Sequence, residues 1–455
     1  MSSHTLDLTS GNIKKIVIQF ALPYLFASFM QTFYGLVDLF VVGLFDPTQT
    51  STAVSIGSQF MHVITVMIVG LTLGTTVVIG QHVGAGDKNR SEKATGTSVL
   101  FFLILSFVLT GILLLCSRSL VSILLTPAEA VPETLSYLRI CFAGIPFIVA
   151  FNVISSIYRG YGDSNRPMFF VGIACIVNIA LDFVFIGLMD LGASGAALGT
   201  VCGQAVAVIA GLIYTKSRSA DILPQRKHYR FYKNELFFVL RVGFPIFIQE
   251  GLIQLAFIII QVIGNSRGLI DATSIGITEK FIGFLFLVPS AFLSAISAVT
   301  AQNYGAGKQE RARKALYFAV TVNMCWGILC CLLCELFPGT FISIFRNDPA
   351  IIASATLYLR SYSFDVIFAS IHFCFSGYFN GSSHSGITFF HNILSAVLIR
   401  IPGAWILSRL YPHTLMPMGI AAPAGSLLSV LICLFFFRRI IKKESSPAAD
   451  STLSS

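Results

Sequence analysis

Long apolar runs with few charges inside them dominate this chain. About twelve runs of roughly twenty residues recur along its 455 residues, and a helix of that length crosses a bilayer. Charged residues make up only 11% of the chain, whereas soluble domains have about 25%. Barrel strands would be shorter and would alternate in polarity. The sequence therefore predicts an all-α integral membrane protein, with spans centred near Phe26, Val66, Leu105, Phe147, Ile176, Val206, Leu252, Phe286, Thr321, Ala369, Val397 and Leu428.

The basic residues are unevenly distributed between the two sides of the predicted membrane. With the N-terminus placed in the cytoplasm, inward-facing segments hold 22 of the 30 Lys and Arg, and outward-facing segments hold six. Positive residues favour the cytoplasmic side of membrane proteins. We therefore expect a multi-pass protein with both termini cytoplasmic. The net charge of +9 follows from this orientation, so we expect a lipid bilayer, and no nucleic acid, as the large partner.

Two short polar segments 221 residues apart are nearly identical. GQHVGAGDKNRSEKA occupies residues 80–94, and AQNYGAGKQERARKA occupies residues 301–315. At the same offset YLR recurs at 137–139 and 358–360, and Gly160 falls on Gly381. An internal repeat of this length determines the architecture of the fold. Six spans per repeat is an even number, so the sequence predicts two six-helix bundles related by a parallel internal repeat.

The repeat gives the predicted domain boundaries. We expect an N-terminal six-helix lobe over residues 1–215 and a C-terminal six-helix lobe over residues 236–443. Between them the basic, polar residues 216–235 are typical of a cytoplasmic linker. The polar residues 444–455 are expected to form a disordered tail.

Each repeated polar segment contains the triplet GAG, at Gly84 and Gly86 and again at Gly305 and Gly307. Glycine permits a tight reversal of the backbone, and the basic residues that follow place the next helix at the inner surface. The triplets have two interpretations, a structural turn or a gate that moves during function. Pro23, within the first span, is a further hinge candidate, because proline kinks membrane helices.

Two acidic residues, Asp38 and Asp182, lie inside predicted spans of the first half. Charged residues in a membrane are costly and mark functional sites. Two carboxylates with amide and hydroxyl partners can hold a proton or a small cation such as Na+. The alternative is a static hydrogen-bonded network that only packs the helices. The residues that could complete this cation-coupling or substrate site are Gln31, Tyr34, Asn152, Asn178 and Thr200.

The second half carries different polar residues, since the positions 221 residues after Asp38 and Asp182 are small or apolar. Glu250 and Gln254 lie on one predicted helix, and Asp365 lies on another, where it can pair with Arg400. These residues are candidates to line a substrate cavity. Glu250 is either functional or a polar residue that stabilises the bundle.

Enzymatic and metal motifs are missing from the sequence. There is no P-loop motif for ATP, and the eight histidines lack metal-ligand spacing. We therefore expect no enzyme activity, no resident metal and no cofactor, with H+ or Na+ as the coupling ion.

Several motifs resemble those of the MATE (multidrug and toxic compound extrusion) transporters. They are ALP and LVD on the first helix, the two GAG segments, YRGYGDSNRPM at residues 158–168 and GASGAALGTVCGQ at residues 192–204. The resemblance covers nearly the whole chain and is closest to the DinF- or MepA-like branch. It implies a V-shaped pair of lobes in the bacterial inner (cytoplasmic) membrane. It also implies that Asp38 and Asp182, with Asn178 and Thr200, bind the coupling cation, and that the first helix bends at Pro23.

The function expected from these features is multidrug efflux by alternating access. A monomer would export small organic cations or amphiphiles in exchange for H+ or Na+. A flippase for lipid-linked precursors is one alternative, but it would need cationic cavity residues for pyrophosphate, and acids outnumber bases here. A non-transporting receptor or scaffold is another, which the two-lobe repeat disfavours.

Overall fold

A computed structural model describes residues 6–45, 48–124, 126–219 and 222–444. Helices account for 88% of the structure, and the described residues contain no strand. The predicted all-α class is therefore confirmed. Residues 445–455 of the predicted tail lie outside the described part of the chain, and the last helix ends at Glu444.

Seventeen α-helices follow one another in the described residues. The first eight are α1 (Ile13–Phe45), α2 (Thr48–Gly84), α3 (Lys88–Ile123), α4 (Val131–Ala143), α5 (Ile145–Gly160), α6 (Asn165–Asp182), α7 (Gly192–Arg218) and α8 (Lys233–Asn265). The others are α9 (Leu269–Leu285), α10 (Leu287–Gly305), α11 (Gln309–Leu336), α12 (Pro338–Ser343), α13 (Pro349–Gly381), α14 (Ser385–Ser395), α15 (Ile401–Leu410), α16 (Met416–Gly419) and α17 (Ala421–Glu444). Two π-helical segments, Phe183–Leu188 and Ala396–Arg400, continue α6 and α14.

Within the described residues, nine helices are long and apolar enough to cross a membrane, and the number rises to eleven if two bent pairs each form one span. The pairs bend by 46° between α4 and α5 and by 41° between α9 and α10. The remaining predicted span, near Ala369, lies in α13, which is not among these nine helices. Phe26, Phe40 and Phe107 are more than half exposed, as expected of a lipid-facing surface.

The chain divides into two compact units. The first contains Met1–Gly251, Ala298–Ala312 and Gly381–Ser383, and the second contains Leu252–Ser297, Arg313–Asn380 and His384–Ser455. The first unit therefore includes α1 to α7, the start of α8 and short pieces from the second sequence repeat. The second unit holds the rest of that repeat.

Small residues allow the closest helix packing in the first unit. On α7, Gly195, Gly199 and Gly203 face α6 or the π-helical segment that follows it. A Cβ on Gly203 would lie 2.8 Å from the carbonyl oxygen of Ala174, so only glycine permits this approach. Small residues at helix contacts are the usual means of association in membranes, where burial of apolar surface gives no advantage.

The second unit is held by an apolar cluster and by buried polar groups. Ile275, Ile282 and Leu359 belong to the cluster. At one end, Arg267 pairs with Asp271 at 2.8 Å and donates to carbonyl oxygens after α15, including that of Pro412 at 3.1 Å. The guanidinium thus satisfies backbone acceptors where the helix has ended.

Candidate functional site

Asp38 on α1 and Asp182 at the end of α6 meet inside the first unit. Asp182 is fully buried and Asp38 is 7% exposed. Their carboxyl groups are neighbours beside Gly199 and Thr200 of α7, because Asp182 faces Gly199 and Asp38 accepts from Thr200. The two acids predicted from the sequence, 144 residues apart in the chain, therefore form one site.

Asn178 and Thr200 surround this carboxylate pair. The hydroxyl of Thr200 on α7 donates to Asp38 Oδ2 at 3.4 Å, and Asn178 Nδ2 lies 3.5 Å from the same hydroxyl. Asn178 also lies beside Asp182, since both side chains face Gly199. Three helices thus contribute to one cluster of four polar side chains.

The backbone around Asp182 is shaped to admit its carboxyl group. Gly199 of α7 faces Asp182, and a Cβ at that position would overlap Asp182 Oδ1. Directly after Asp182 the α-helix changes to the π-helical segment Phe183–Leu188. Such segments are rare and occur frequently at functional sites, so both features indicate a specialised position.

Several acceptor atoms of the cluster have no donor among the described residues. They are Asp38 Oδ1, both carboxyl oxygens of Asp182 and Asn178 Oδ1. Two carboxylates can share a hydrogen bond only if one of them carries a proton. Alternatively, carboxylate, amide and hydroxyl oxygens suit a hard cation. The arrangement can therefore hold either a proton or a small hard cation.

The other first-half candidates lie around this cluster or apart from it. Tyr34 lies one turn before Asp38 on α1. Gln31 and Asn152 instead line a cavity that α1, α2, α5 and α6 share. Asn152 donates to the carbonyl oxygen of Ile148 in its own helix at 2.8 Å, rather than to either carboxyl group.

The structure places the second-half candidates in separate surroundings. Glu250, on α8, is half-buried and lies against Gly70 of α2, with Gln249 as a hydrogen-bond partner. Gln254 is half-buried further along α8. Asp365 of α13 is fully buried and pairs with Arg400 at 2.9 Å, so its charge is neutralised.

The two GAG triplets form matching turns, called here the first corner (residues 81–88) and the second corner (residues 302–309). Gly86 and Gly307 have positive φ values of 73° and 69°, which favour glycine. The amide of each bonds a carbonyl oxygen three residues earlier, at 3.0 and 3.1 Å. The predicted turn is therefore present in both copies.

Gly84 and Gly305 instead permit the corners to approach each other. A Cβ on Gly84 would overlap the carbonyl oxygen of Gln302, and one on Gly305 would overlap that of Gln81. The contact is reciprocal, since each glycine faces the glutamine of the other repeat.

The same two glutamines make crossed hydrogen bonds. Gln81 Nε2 donates to the carbonyl oxygen of Gly381 at 2.9 Å, and Gln302 Nε2 donates to that of Gly160 at 2.9 Å. Gly160 and Gly381 are themselves equivalent in the repeat. All four residues belong to the first unit, which therefore contains a nearly symmetric junction of the two sequence repeats.

The residues before α1 bind to the second corner and the helix that follows it. Asn303 donates to the carbonyl oxygen of Leu8 at 3.0 Å, and Lys308 donates to that of Thr9 at 2.9 Å. Arg311 donates to the carbonyls of the next two residues at 2.6 and 2.9 Å. Basic residues predicted to set topology thus fix this N-terminal segment (residues 6–12).

Sequence reasoning missed four residues. They are Gln204, which is buried on the same helix as Thr200, the crossed pair Gln81 and Gln302, and Arg159, which lines the cavity that contains Gln31 and Asn152. Gln204 follows Thr200 by one turn of α7, so its spacing was the available signal. The recurrence of Gln81 as Gln302 in the repeat indicated that these glutamines matter. The repeat did not predict that each would hydrogen-bond the other half of the sequence. Among the described residues, no group of three or more His, Cys, Asp or Glu side chains could hold a metal ion.

Comparison with known proteins extends this description. The family model MatE matches residues 23–184 and 245–406, two blocks 222 residues apart. The probable multidrug resistance protein YpnP of Bacillus subtilis is 24% identical over 405 residues, covering 88% of this chain and 91% of that protein. The multidrug export protein MepA of Staphylococcus haemolyticus is 23% identical over 439 residues, covering 96% of each chain.

A solved structure shows the same fold. It is a MOP superfamily transporter from Pyrococcus furiosus, 22% identical, with a TM-score of 0.92 over 98% of this chain and all of that one. The match confirms a multi-helix membrane fold with two repeats. The family model covers well over half of the chain and both repeats, so the resemblance inferred from the motifs is confirmed, and this protein belongs to the MatE family.

Proposed function

We propose that this protein is a cation-coupled multidrug efflux antiporter that exports cationic or amphiphilic organic compounds in exchange for H+ or Na+. The carboxylate pair of Asp38 and Asp182 is the observation that carries the proposal. Buried acids are costly in a membrane, and transporters keep them to bind ions. The relatives YpnP and MepA are named for multidrug resistance and multidrug export, which supports the substrate class.

The coupling cation binds at the carboxylate pair. A proton bridges the two carboxyl groups, or Na+ is held by Asp38, Asp182, Thr200 and the free oxygen of Asn178. Loading neutralises the repulsion between the acids and draws α1 towards α6. Tyr34 shares a face with Asp38, so this movement changes the surface that α1 presents to a drug. Pro23, inside the continuous helix α1, is the point at which the helix can bend.

The junction of the corners acts as the gate. Alternating access requires the two repeats to separate on one side of the membrane, and the crossed bonds of Gln81 and Gln302 must then break. Gly84 and Gly305 allow the two corners to pack closely when the gate is closed. Gly86 and Gly307 adopt the positive φ values that the turns require. The N-terminal segment links α1 to the second corner, so a shift of α1 reaches the gate through the backbone.

The substrate contacts the polar and aromatic residues around these helices. Gln31 and Tyr34 are the first-half candidates, and Glu250, Gln254 and Asp365 are those of the second half. Asp365 contributes little net charge because Arg400 neutralises it. The protein acts as a monomer, without a nucleic-acid partner, in the bacterial inner membrane with both termini in the cytoplasm.

Reconstituted transport tests the proposal. The purified protein is placed in liposomes loaded with ethidium, and a pH gradient or a sodium gradient is imposed separately. We expect one gradient to accelerate ethidium efflux above that from protein-free liposomes, which identifies the coupling ion. Efflux that neither gradient accelerates would contradict cation-coupled drug export.

A further inference from the structure

A second polar site lies in the first unit, apart from the carboxylate pair. It is a cavity between α1, α2, α5 and α6, with Tyr24 and Arg159 at one part of its wall. Tyr24 and Asp38 are 14 residues apart on α1, which corresponds to about 21 Å along the helix. A group bound beside Tyr24 therefore does not contact the carboxylates.

Arg159 is a buried cation that has no anionic partner among the residues the structure describes. It is 8% exposed, and it forms no ion pair with the acids of the described residues. Its NH2 group donates to Ser156 Oγ at 3.0 Å, and its guanidinium lies 5.3 Å from the centre of the Tyr24 ring. The neighbouring Arg166 is different, because Asp163 pairs with it. An isolated charge is expensive to bury, so Arg159 lacks the counter-ion that such a position requires.

Three hydrogen-bond donors of this cavity are unused. Arg159 Nε, Ser155 Oγ and Ser164 Oγ are buried and have no partner among the described residues, and all three residues line the cavity. Ser155 and Arg159 are four residues apart on α5 and so share a face. Ser164 stands at the start of α6 but makes no capping bond, since Asp163 accepts from the first amides instead. Its hydroxyl is thereby free for another acceptor.

We propose that Arg159, Ser155 and Ser164 bind the oxyanion group, a phosphate or carboxylate, of an amphiphilic ligand. Guanidinium and hydroxyl donors together satisfy an oxyanion through charge-assisted hydrogen bonds. The rest of the cavity suits an apolar or aromatic body with a few polar atoms, because its other walls include Val69, Phe151, Met168, Val171, Gln31 and Asn152.

The site therefore extends the proposed function from cationic compounds to compounds that carry an acidic group. The oxyanion can belong to a drug-like molecule or to a lipid headgroup. Binding here is measured without a gradient, so this inference and the transport proposal can fail independently.

Calorimetric titration of the full-length protein in uncharged maltoside micelles tests the inference. The probes are 1-naphthyl phosphate, dioctanoyl phosphatidate and, as a cationic control, 1-naphthyltrimethylammonium, each corrected with protein-free micelles. We expect the wild type to bind at least one phosphate probe. Arg159→Gln should weaken that binding by about tenfold or more, because a charge-assisted hydrogen bond is lost. Arg159→Lys should retain part of it, and binding of the ammonium probe should not change.

The variants distinguish a binding role from a structural one. If Arg159→Gln does not give a monodisperse protein, the double variant Ser155→Ala/Ser164→Ala replaces it, with Ser106→Ala as the control, since Ser106 is a buried serine of α3 that bonds only its own helix. Preference for naphthyl phosphate or for phosphatidate identifies a drug-like or a lipid source. The inference is overturned if neither phosphate binds the wild type, or if both bind equally well after the substitutions.

Discussion

Asp38 and Asp182 belong to the first repeat alone. The equivalent positions in the second repeat are Ile259 and Gly403, and neither can bind a cation through its side chain. The carboxylate pair therefore has no counterpart in the second repeat, and the proposed cation site lies in the first repeat alone. At the scale of single residues, the proposed function depends on positions such as 38 and 182, at which the two repeats carry different side chains.

Gly199→Ala should disturb the carboxylate pair without removing a charge. Its new Cβ would overlap Asp182 Oδ1, so the carboxyl group must move away from α7, which changes its spacing from Asp38. We expect gradient-driven ethidium efflux to fall at least severalfold at an unchanged protein level. Gly111→Ala, whose Cβ would meet nothing within 4 Å, is the control and should keep the wild-type rate. Full efflux by Gly199→Ala would show that the spacing of the acids is unimportant.

The carboxylate pair could be predicted from the sequence to a large extent. A charge inside an apolar run is conspicuous, and helical spacing placed Asn178 one turn from Asp182. The role of Gly199 could not be predicted, because it depends on which face of α7 meets α6. Arg159 was hidden for a different reason, since a basic residue near the end of a span also satisfies the positive-inside pattern.

The two corners illustrate how one short motif performs two tasks at the scale of elements. The second glycine of each GAG triplet turns the chain, and the first allows the other repeat to approach. The sequence predicted the turns, because glycine in a polar segment between two spans favours a tight turn of the backbone. The crossed contact requires the three-dimensional arrangement of both repeats. The bends between α4 and α5 and between α9 and α10 lie beside Pro146 and Pro289, and proline is a sequence signal for a kink.

Alanine substitutions at the two glycines of the second corner should distinguish the close contact, which depends on Gly305, from the turn, which depends on Gly307. Gly305→Ala forces a Cβ into the carbonyl of Gln81 and should cost about 1–3 kcal/mol, as overpacking does. Gly307→Ala has open space but a left-handed backbone, which should cost about 1–2 kcal/mol. Thermal unfolding followed by size-exclusion chromatography should rank both variants below the wild type. Gly305→Ala with unchanged stability would contradict the close contact.

The N-terminal segment gives a second test at this scale. Arg311→Ala removes both hydrogen bonds to the carbonyls before α1, whereas Arg313→Ala, two residues along α11, removes none that the structure shows. Hydrogen–deuterium exchange over residues 6–12 should accelerate in Arg311→Ala and stay at the wild-type rate in Arg313→Ala. Equal exchange in both variants would mean that the segment is held by other contacts.

At the scale of the whole molecule, the distribution of Lys and Arg predicts the orientation in the membrane. Both termini should face the cytoplasm, because the basic segments cluster on that side. A green fluorescent protein fused after residue 455 should fluoresce in bacteria, and alkaline phosphatase fused at the same position should be inactive. Active phosphatase would reverse the orientation and place the corners on the outer side of the membrane.

The central claim is that the pair of Asp38 and Asp182 couples a cation to drug export. The most direct measurement compares gradient-driven ethidium efflux from proteoliposomes that contain equal amounts of wild type, Asp38→Asn, Asp182→Asn or Asp190→Asn. Asp190 is the matched control, since it is exposed and its positive φ of 53° is readily adopted by asparagine. We predict that both pair variants fall to the rate of protein-free liposomes while Asp190→Asn keeps the wild-type rate. Wild-type efflux from Asp38→Asn would contradict the account.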